Sequence, residues 1–216
     1  MPIKKNDFIE IGYTGKLKED GSVFDTTDEK TARENHLYRE GAEYGPIIIC
    51  VGEKHVLKGI DKFLIGKEPG NYTVGLKPEE AFGKKNPKLV QLIPARKFTE
   101  HNIKPVPGLS VNIDGVIGFV KAVSGGRVLV DFNHPLASKE LVYDIAIKRV
   151  VTDKKEQVQS LLDLILSVKN DEAEIEIRDK ECRAKLKKKL PEEVLRKVED
   201  KIKELVQLSK IEITAE

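Results

Sequence analysis

The chain has 216 residues, room for one large domain or two to three small ones, and 39% of them are hydrophobic, as in an ordinary globular protein. Charged residues reach 34%, above the usual quarter, but 38 basic side chains stand against 36 acidic ones. Net charge therefore argues for neither a nucleic-acid partner nor a membrane surface.

Cys50 and Cys182 stand far apart, which argues against a disulfide framework and for a reduced chain. The segment from Met1 to Asp7 is polar and leads into no signal-like apolar run, and no stretch approaches the roughly 18 apolar residues of a membrane span. The expectation is a cytoplasmic protein. Charge richness with no Trp and one Met resembles compositions adapted to high temperature.

Phe8 to Tyr13 reads as a strand, Glu19-Asp20-Gly21-Ser22 as a turn, and Val23-Phe24-Asp25 as extended chain resumed. Asp28 to Gly45 is polar and charged and reads as a loop. Pro46 to Val51 holds three consecutive isoleucines and predicts a buried strand. Val56 to Leu64 predicts a short helix with Val56, Leu57, Ile60, Phe63 and Leu64 on one face, and Asn71 to Leu76 another strand.

A second unit is expected over residues 86–132. Leu89 to Pro94 reads as a strand closed by proline, and Lys104 to Gly108 as a rigid turn region. Val111 to Ile113, Val116 to Val123 and Arg127 to Phe132 read as a meander with Ser124-Gly125-Gly126 at one bend. Asn133 to Ala137 leads into a strand over Leu141 to Val150.

All sixteen glycines precede residue 127, and residues 151–216 are about half charged with one proline, Pro191. A helix-dominated tail is expected from about Val151. Asp153 to Lys169 predicts a helix with a stripe at Val158, Leu161, Leu162, Ile165 and Val168, and Pro191-Glu192-Glu193 opens a second with Val194, Val198, Ile202, Leu205 and Val206 on one face. Ile175 with Ile177, and Ile211 with Ile213, predict one-faced strands able to pair with each other. The basic cluster of Arg183 and Lys185 to Lys189 reads as a solvated segment balanced by acids, not as an RNA-binding surface.

Five short motifs in fixed order carry a resemblance. They are Tyr13-Thr14-Gly15, Phe24-Asp25, Gly52 to Gly59 with Val56-Leu57 inside, Pro78-Glu79-Glu80-Ala81-Phe82-Gly83, and Tyr143. Over residues 1–150 the chain resembles the FKBP-type peptidyl-prolyl isomerases. The interruption after Gly83, closed by Asn133-His134-Pro135-Leu136-Ala137, is similar to the SlyD-like branch with an insert-in-flap domain. The tail resembles the C-terminal extension of long archaeal members.

The resemblance implies an α+β fold: an antiparallel FKBP sheet around a short helix (1–85 and 133–151), a small all-β chaperone insert (86–132) and an α/β C-terminal domain (152–216). It implies an isomerase that needs no cofactor and no metal, with catalytic Asp25, Tyr13, Phe82 and Tyr143. Substrate contacts would come from Phe24, Ile47, Val56, Leu57, Ile60 and Leu136, with Ile60 where many relatives have tryptophan and Phe82 where many have tyrosine. Expected partners are proline-containing polypeptides and unfolded proteins, the latter on a chaperone surface of Val90, Leu92, Ile93, Phe98 and Val106. A homodimer through the tail is a further expectation, and the tail's alternative is packing on the body. For Asp25 an orienting electrostatic role stands beside a purely structural one; for the chain, an isomerase stands beside a holdase or scaffold with little activity.

Overall fold

The computed structural model describes residues 1–215. The chain begins with β1 (Phe8–Leu17), β2 (Val23–Thr26), α1 (Glu29–Glu34), β3 (Ile47–Cys50), α2 (Lys58–Leu64) and β4 (Gly70–Leu76). A second stretch holds β5 (Val90–Pro94), α3 (Ala95–Thr99), β6 (Ser110–Ile113), β7 (Val116–Ser124) and β8 (Arg127–Asp131). Then come β9 (Leu141–Val150), α4 (Lys154–Leu166), β10 (Ala173–Arg178), β11 (Glu181–Leu186), α5 (Glu192–Val206) and β12 (Lys210–Ala215). The fold is mixed α+β, and its contacts divide it into two compact units. One joins Met1–Leu76 with Leu141–Glu216; the other is Lys77–Glu140.

In the first unit a five-stranded sheet runs β2-β1-β9-β4, with β3 sharing β1's outer edge beside β2. All its pairings are antiparallel. Strand β1 is long enough to serve two neighbours on one edge: Phe8 to Ile11 pair with β3 and Thr14 to Lys16 with β2. Side chains alternate across a strand, so Ile9, Ile11, Ile145 and Ile147 are buried on one face. Leu76 pairs directly with Leu141, so both connections to the second unit leave from neighbouring strand ends.

The tail shares a core with this body. Val158, Leu161 and Leu162 of α4, Val198 and Ile202 of α5, and Cys182, Ala184 and Leu186 of β11 cluster with Phe8, Cys50 and Val151. A fully buried aliphatic side chain contributes about 1.5–3 kcal/mol, so the shared residues anchor a segment small enough to need them. The apolar faces of α4 and α5 that suggest a dimer are thus mostly buried inside one chain, with Leu164, Ile165 and Val194 left exposed.

Several local readings need correction. Asp28 to Gly45 is not all loop: Asp28 accepts the Thr31 backbone N–H at 2.7 Å and caps the short helix α1. A one-turn helix, α3, follows Pro94. In α5 the core-facing residue of the first turn is Leu195, not Val194. The tail sheet has three strands, ordered β10-β11-β12, so Ile211 and Ile213 pair with Cys182 and Ala184 of β11 in parallel, not with Ile175 and Ile177. Strand β11 hides in the sequence because its inward positions are Cys182, Ala184 and Leu186, two of them small, and its outward ones are charged.

The second unit is a four-stranded antiparallel sheet, β5-β8-β7-β6, over a small core of Ile93, Phe98, Val111, Val120, Val128 and Val130. Ile93 and Phe98, expected on its surface, are therefore interior. Alternation along β5 turns Ile93 inward and Leu92 outward, and Phe98 is the buried residue of α3. The entering and leaving chains are pinned together. Asn133 donates from Nδ2 to the Asn86 carbonyl (3.1 Å) and to Asp131 (2.8 Å), while Lys85 Nζ reaches Asp131 at 3.0 Å.

Burial alone would raise the Asp131 pKa, but hydrogen bonds from Asn133 and Lys85 outweigh it and bring the group down to about 2. An acid held below its ordinary value stabilises the fold above its unfolded pKa, and that contribution is lost as pH falls through the folded one. We expect Asp131→Asn to lower stability by about 2 kcal/mol at neutral pH, with the gap to the parent closing between about pH 4 and pH 2. Denaturant unfolding of both proteins across that range checks it.

Candidate functional site

The site is built where β1, β2 and β9 meet. Cross-strand partners share a face, and the register sets Tyr13 opposite Ile145 and Gly15 opposite Tyr143. On the other side Gly15 pairs with Asp25, and Lys16 then pairs with Val23, so Phe24 is the extra residue of a bulge. A bulge re-aims side chains next to it. Here it brings Phe24 and Asp25, adjacent in sequence, to one place.

Three rings form the wall. Tyr143, only 2% exposed, meets Tyr13 with ring centroids 5.8 Å apart and tilted, and meets Phe24 edge-on at 5.8 Å. Gly15 makes that closeness possible. A Cβ placed on it would lie 2.8 Å from Phe24 Cζ and 2.8 Å from Tyr143 Cε1. Strand β2 is fastened to β1 by hydroxyls: Thr14 and Thr26 Oγ1 atoms lie 2.9 Å apart, and Thr27 Oγ1 accepts the Tyr13 N–H at 2.9 Å.

Asp25 is the carboxylate of the cluster. It accepts hydrogen bonds from the Tyr13 side chain and the Thr26 backbone N–H. Asp25 is the exposed residue of β2, yet the groups crowded around its carboxylate bury it in part, and that raises its pKa above the usual carboxylate value against the pull of both bonds. Burial, followed by the Asp25 charge and hydrogen bond, pushes Tyr13 up to about 12. Burial also raises Tyr143. Both phenols therefore keep their protons at neutral pH, and Tyr13 stands as an O–H donor beside a carboxylate. The set is suited to gripping an apolar ring and orienting a polar group, without a nucleophile.

Ile47 lies on β3 opposite Ile11, on the face that carries Tyr13. Val56 and Leu57 are half-buried at the entry to α2, Leu57 at its N-cap, and Ile60 is buried within it. Phe82 and Leu136 belong to the second unit. There the Phe82 ring lies flat on the His134 imidazole, centroids 4.2 Å apart, and the Leu136 N–H donates to His134 Nδ1 at 3.2 Å.

Two residues behind Val56 and Leu57 escape a motif reading. Asp61, 7% exposed, accepts the backbone N–H groups of Gly52 (2.7 Å) and Lys54 (3.2 Å). His55 Nδ1 accepts the Cys50 N–H at 3.2 Å, and burial lowers its pKa, which keeps the imidazole neutral as an acceptor must be. Asp61 shares its short helix with Lys58 and Lys62, so in the sequence it looks like one more surface charge. Among the described residues no cluster of three or more His, Cys, Asp or Glu side chains is placed to hold a metal, and no helix is long and apolar enough to cross a membrane.

A family model described as "FKBP-type peptidyl-prolyl cis-trans isomerase" matches residues 1–106, and another described as "FKBP26, IF domain" matches residues 91–136. A short-type peptidyl-prolyl cis-trans isomerase of Methanocaldococcus jannaschii is 36% identical over 149 residues, covering 68% of this chain and 94% of the relative. A probable FKBP-type 16 kDa peptidyl-prolyl cis-trans isomerase of Pseudomonas fluorescens is 34% identical, covering 67% of this chain and 89% of its own. The SlyD isomerase of Pasteurella multocida is 30% identical, covering 68% of each chain. The chain belongs to the FKBP-type peptidyl-prolyl cis-trans isomerases. It is an enzyme of that class.

Gly15→Ala is expected to force the Phe24 and Tyr143 rings apart. Overpacking of this kind costs about 1–3 kcal/mol, and isomerase activity should fall at least about tenfold as the wall opens. Denaturant unfolding and a proline-peptide isomerisation assay check the two effects.

Proposed function

We propose that the cluster of Tyr13, Phe24, Asp25 and Tyr143 binds X–Pro segments of folding polypeptides and lowers the barrier to their rotation, and that residues 86–132, within the Lys77–Glu140 unit, hold unfolded chains as an insert-in-flap chaperone. The observation that carries the first part is the wall of three rings around a single carboxylate, with Tyr13 protonated beside it.

Amide resonance sets a barrier of about 18–20 kcal/mol to X–Pro rotation. Resonance and its charge separation are lost at the twisted transition state. A water-poor aromatic wall disfavours the dipolar planar amide more than the twisted one and grips the proline ring. Every ~1.4 kcal/mol removed gives a factor of ten, so no covalent step is needed. Asp25 orients: its charge and the Tyr13 hydroxyl favour one placement of the substrate's polar backbone. Ile47, Val56, Leu57 and Ile60 complete the apolar contacts in this reading, following the family resemblance.

Asp25→Asn separates the orienting role from a structural one. A hydrogen bond to a charged group is worth about 1.5–3 kcal/mol, so kcat/KM should fall roughly 10- to 100-fold. Burial raises the Asp25 pKa, so its ionised form weighs against folding at neutral pH, and the neutral variant should melt no lower than the parent. A variant that melts lower and keeps full activity would assign Asp25 to structure.

The chaperone part is supported by side chains that the second unit leaves in water. Leu92 is 60% exposed and Ile117 61%, with Val116, Val106 and Val123 also exposed. A small β-unit that displays so many apolar groups has surface to offer an unfolded chain. The match of residues 91–136 to an "IF domain" supports the same reading. Leu92→Ser with Ile117→Ser should leave proline-tetrapeptide isomerisation intact and weaken both suppression of aggregation and acceleration of proline-limited refolding. Unchanged action on unfolded proteins would remove the chaperone assignment from this surface.

A further inference from the structure

The turn from Val51 to His55 delivers Val56 and Leu57 to α2. Much of its holding comes from nearby: Asp61 takes the Gly52 and Lys54 amides, His55 takes the Cys50 amide, and the Val51 carbonyl accepts the Asn6 N–H at 2.8 Å. One further restraint comes from far along the chain. Lys201, on α5, places its ammonium 2.5 Å from the Glu53 carboxylate.

This ion pair differs from the other links between tail and body. Lys169 reaches Glu43 at 2.5 Å, but the Glu43 side chain is 66% exposed, whereas Glu53 is 16% exposed. An exposed pair is worth little, whereas a partly buried one is screened less by salt and costs more to break by removing one partner. The hydrogen bond to Glu53 also raises the Lys201 pKa, so the ammonium is held charged. The base of the same helix is fixed nearby, because Ile202, Val198 and Cys50 share one core. Helix α5 thus shares a core with the strand that enters the turn and is charge-paired to the turn's third residue.

We infer that Lys201 is a positioning residue for the isomerase: the C-terminal segment, through Lys201 and Glu53, sets the turn that presents Val56 and Leu57 to the substrate. The inference rests on the proposed role of Val56 and Leu57 as substrate contacts. The reaction needs no group from the tail, and Lys201 touches no substrate. Its effect is on how well the turn is held for binding, so it falls on KM more than on kcat.

The experiment uses the full chain and a proline tetrapeptide. Lys201→Met keeps the apolar stem and removes the charge; Lys201→Glu reverses it. Both are expected to raise KM roughly three- to tenfold with kcat little changed. The double variant with Lys201→Glu and Glu53→Lys should recover most of the loss, and Lys201→Arg should keep parent KM. Lys169→Met, which removes the exposed pair, should leave KM alone, and raising salt should shrink the difference between parent and Lys201→Met. Amide NMR shifts of residues 52–57 should move in Lys201→Met while those of β9 stay.

Unchanged KM in both Lys201 variants, or a charge swap that fails to recover it, overturns the inference. If Lys201→Glu fails to fold, the Met and Arg variants still decide. Leu57→Ala, measured beside them, tells the two readings apart. If it lowers kcat/KM while the Lys201 variants do nothing, only the tail's role is lost. If it too has no effect, the placing of substrate against this turn falls, and the inference falls with it.

Discussion

The approach of Tyr143 to Gly15 is the constraint on which the site depends. In an antiparallel pair the directly opposed residues carry their side chains on one face, and most opposed pairs fill the space between strands from both sides. Here one partner has no side chain, and the vacated volume is taken by two rings, one from β9 and one from β2. The bulge that skips Phe24 follows from the same vacancy, since the strand must shift by one residue to bring its ring inward while keeping Asp25 in register with Gly15. A single methyl group at position 15 would set all three elements against one another.

The second unit obeys a different economy. Its core is a cluster of six buried apolar residues, two of which, Ile93 and Phe98, were expected on the outside. So small a core leaves little margin, and the unit is closed by polar means at its base. Asp131, Asn133, Lys85 and Asn86 tie the incoming and outgoing chain into one knot of hydrogen bonds. Such a pin lets the sheet above it keep Leu92 and Ile117 in water, because holding the unit together does not fall on those side chains.

What could be read from the sequence follows physical lines. Strands with β-branched runs, such as Ile47 to Cys50, and helices with a clear cap, such as Asp153 accepting the Glu156 N–H at 2.9 Å, declare themselves locally. The aromatic set was legible because each motif is short and their order is fixed. Strand β11 was not, because a centre strand with small inward residues gives a weak period-two signal, and its charged outward residues look like a loop. The helix ends of the tail were also hidden. With no glycine after residue 126, the left-handed caps fall to Ser167 (φ 52°) and Gln207 (φ 56°), residues that do not announce such a turn. Asp61 and His55 were illegible for another reason: their partners are backbone amides, and no residue type in the sequence marks an amide that needs an acceptor.

That last class bears on how such a pocket can exist. A wall that acts by keeping water away cannot leave a polar backbone group unpaired behind it, because each orphan donor or acceptor costs about 1–3 kcal/mol. The turn before α2 has amides facing inward, with Gly52 at φ +95° and Lys5 packed where its side chain would be. Asp61 and a neutral His55 answer those amides from the rear, and Thr26 and Thr27 answer the Tyr13 carbonyl on the other side. Among the described residues no buried side-chain nitrogen or oxygen is left without a partner. The apolar front and the polar rear are therefore one device: the rings can exclude water only because carboxylate, imidazole and hydroxyl groups, set one layer back, do for the backbone what water would otherwise have done.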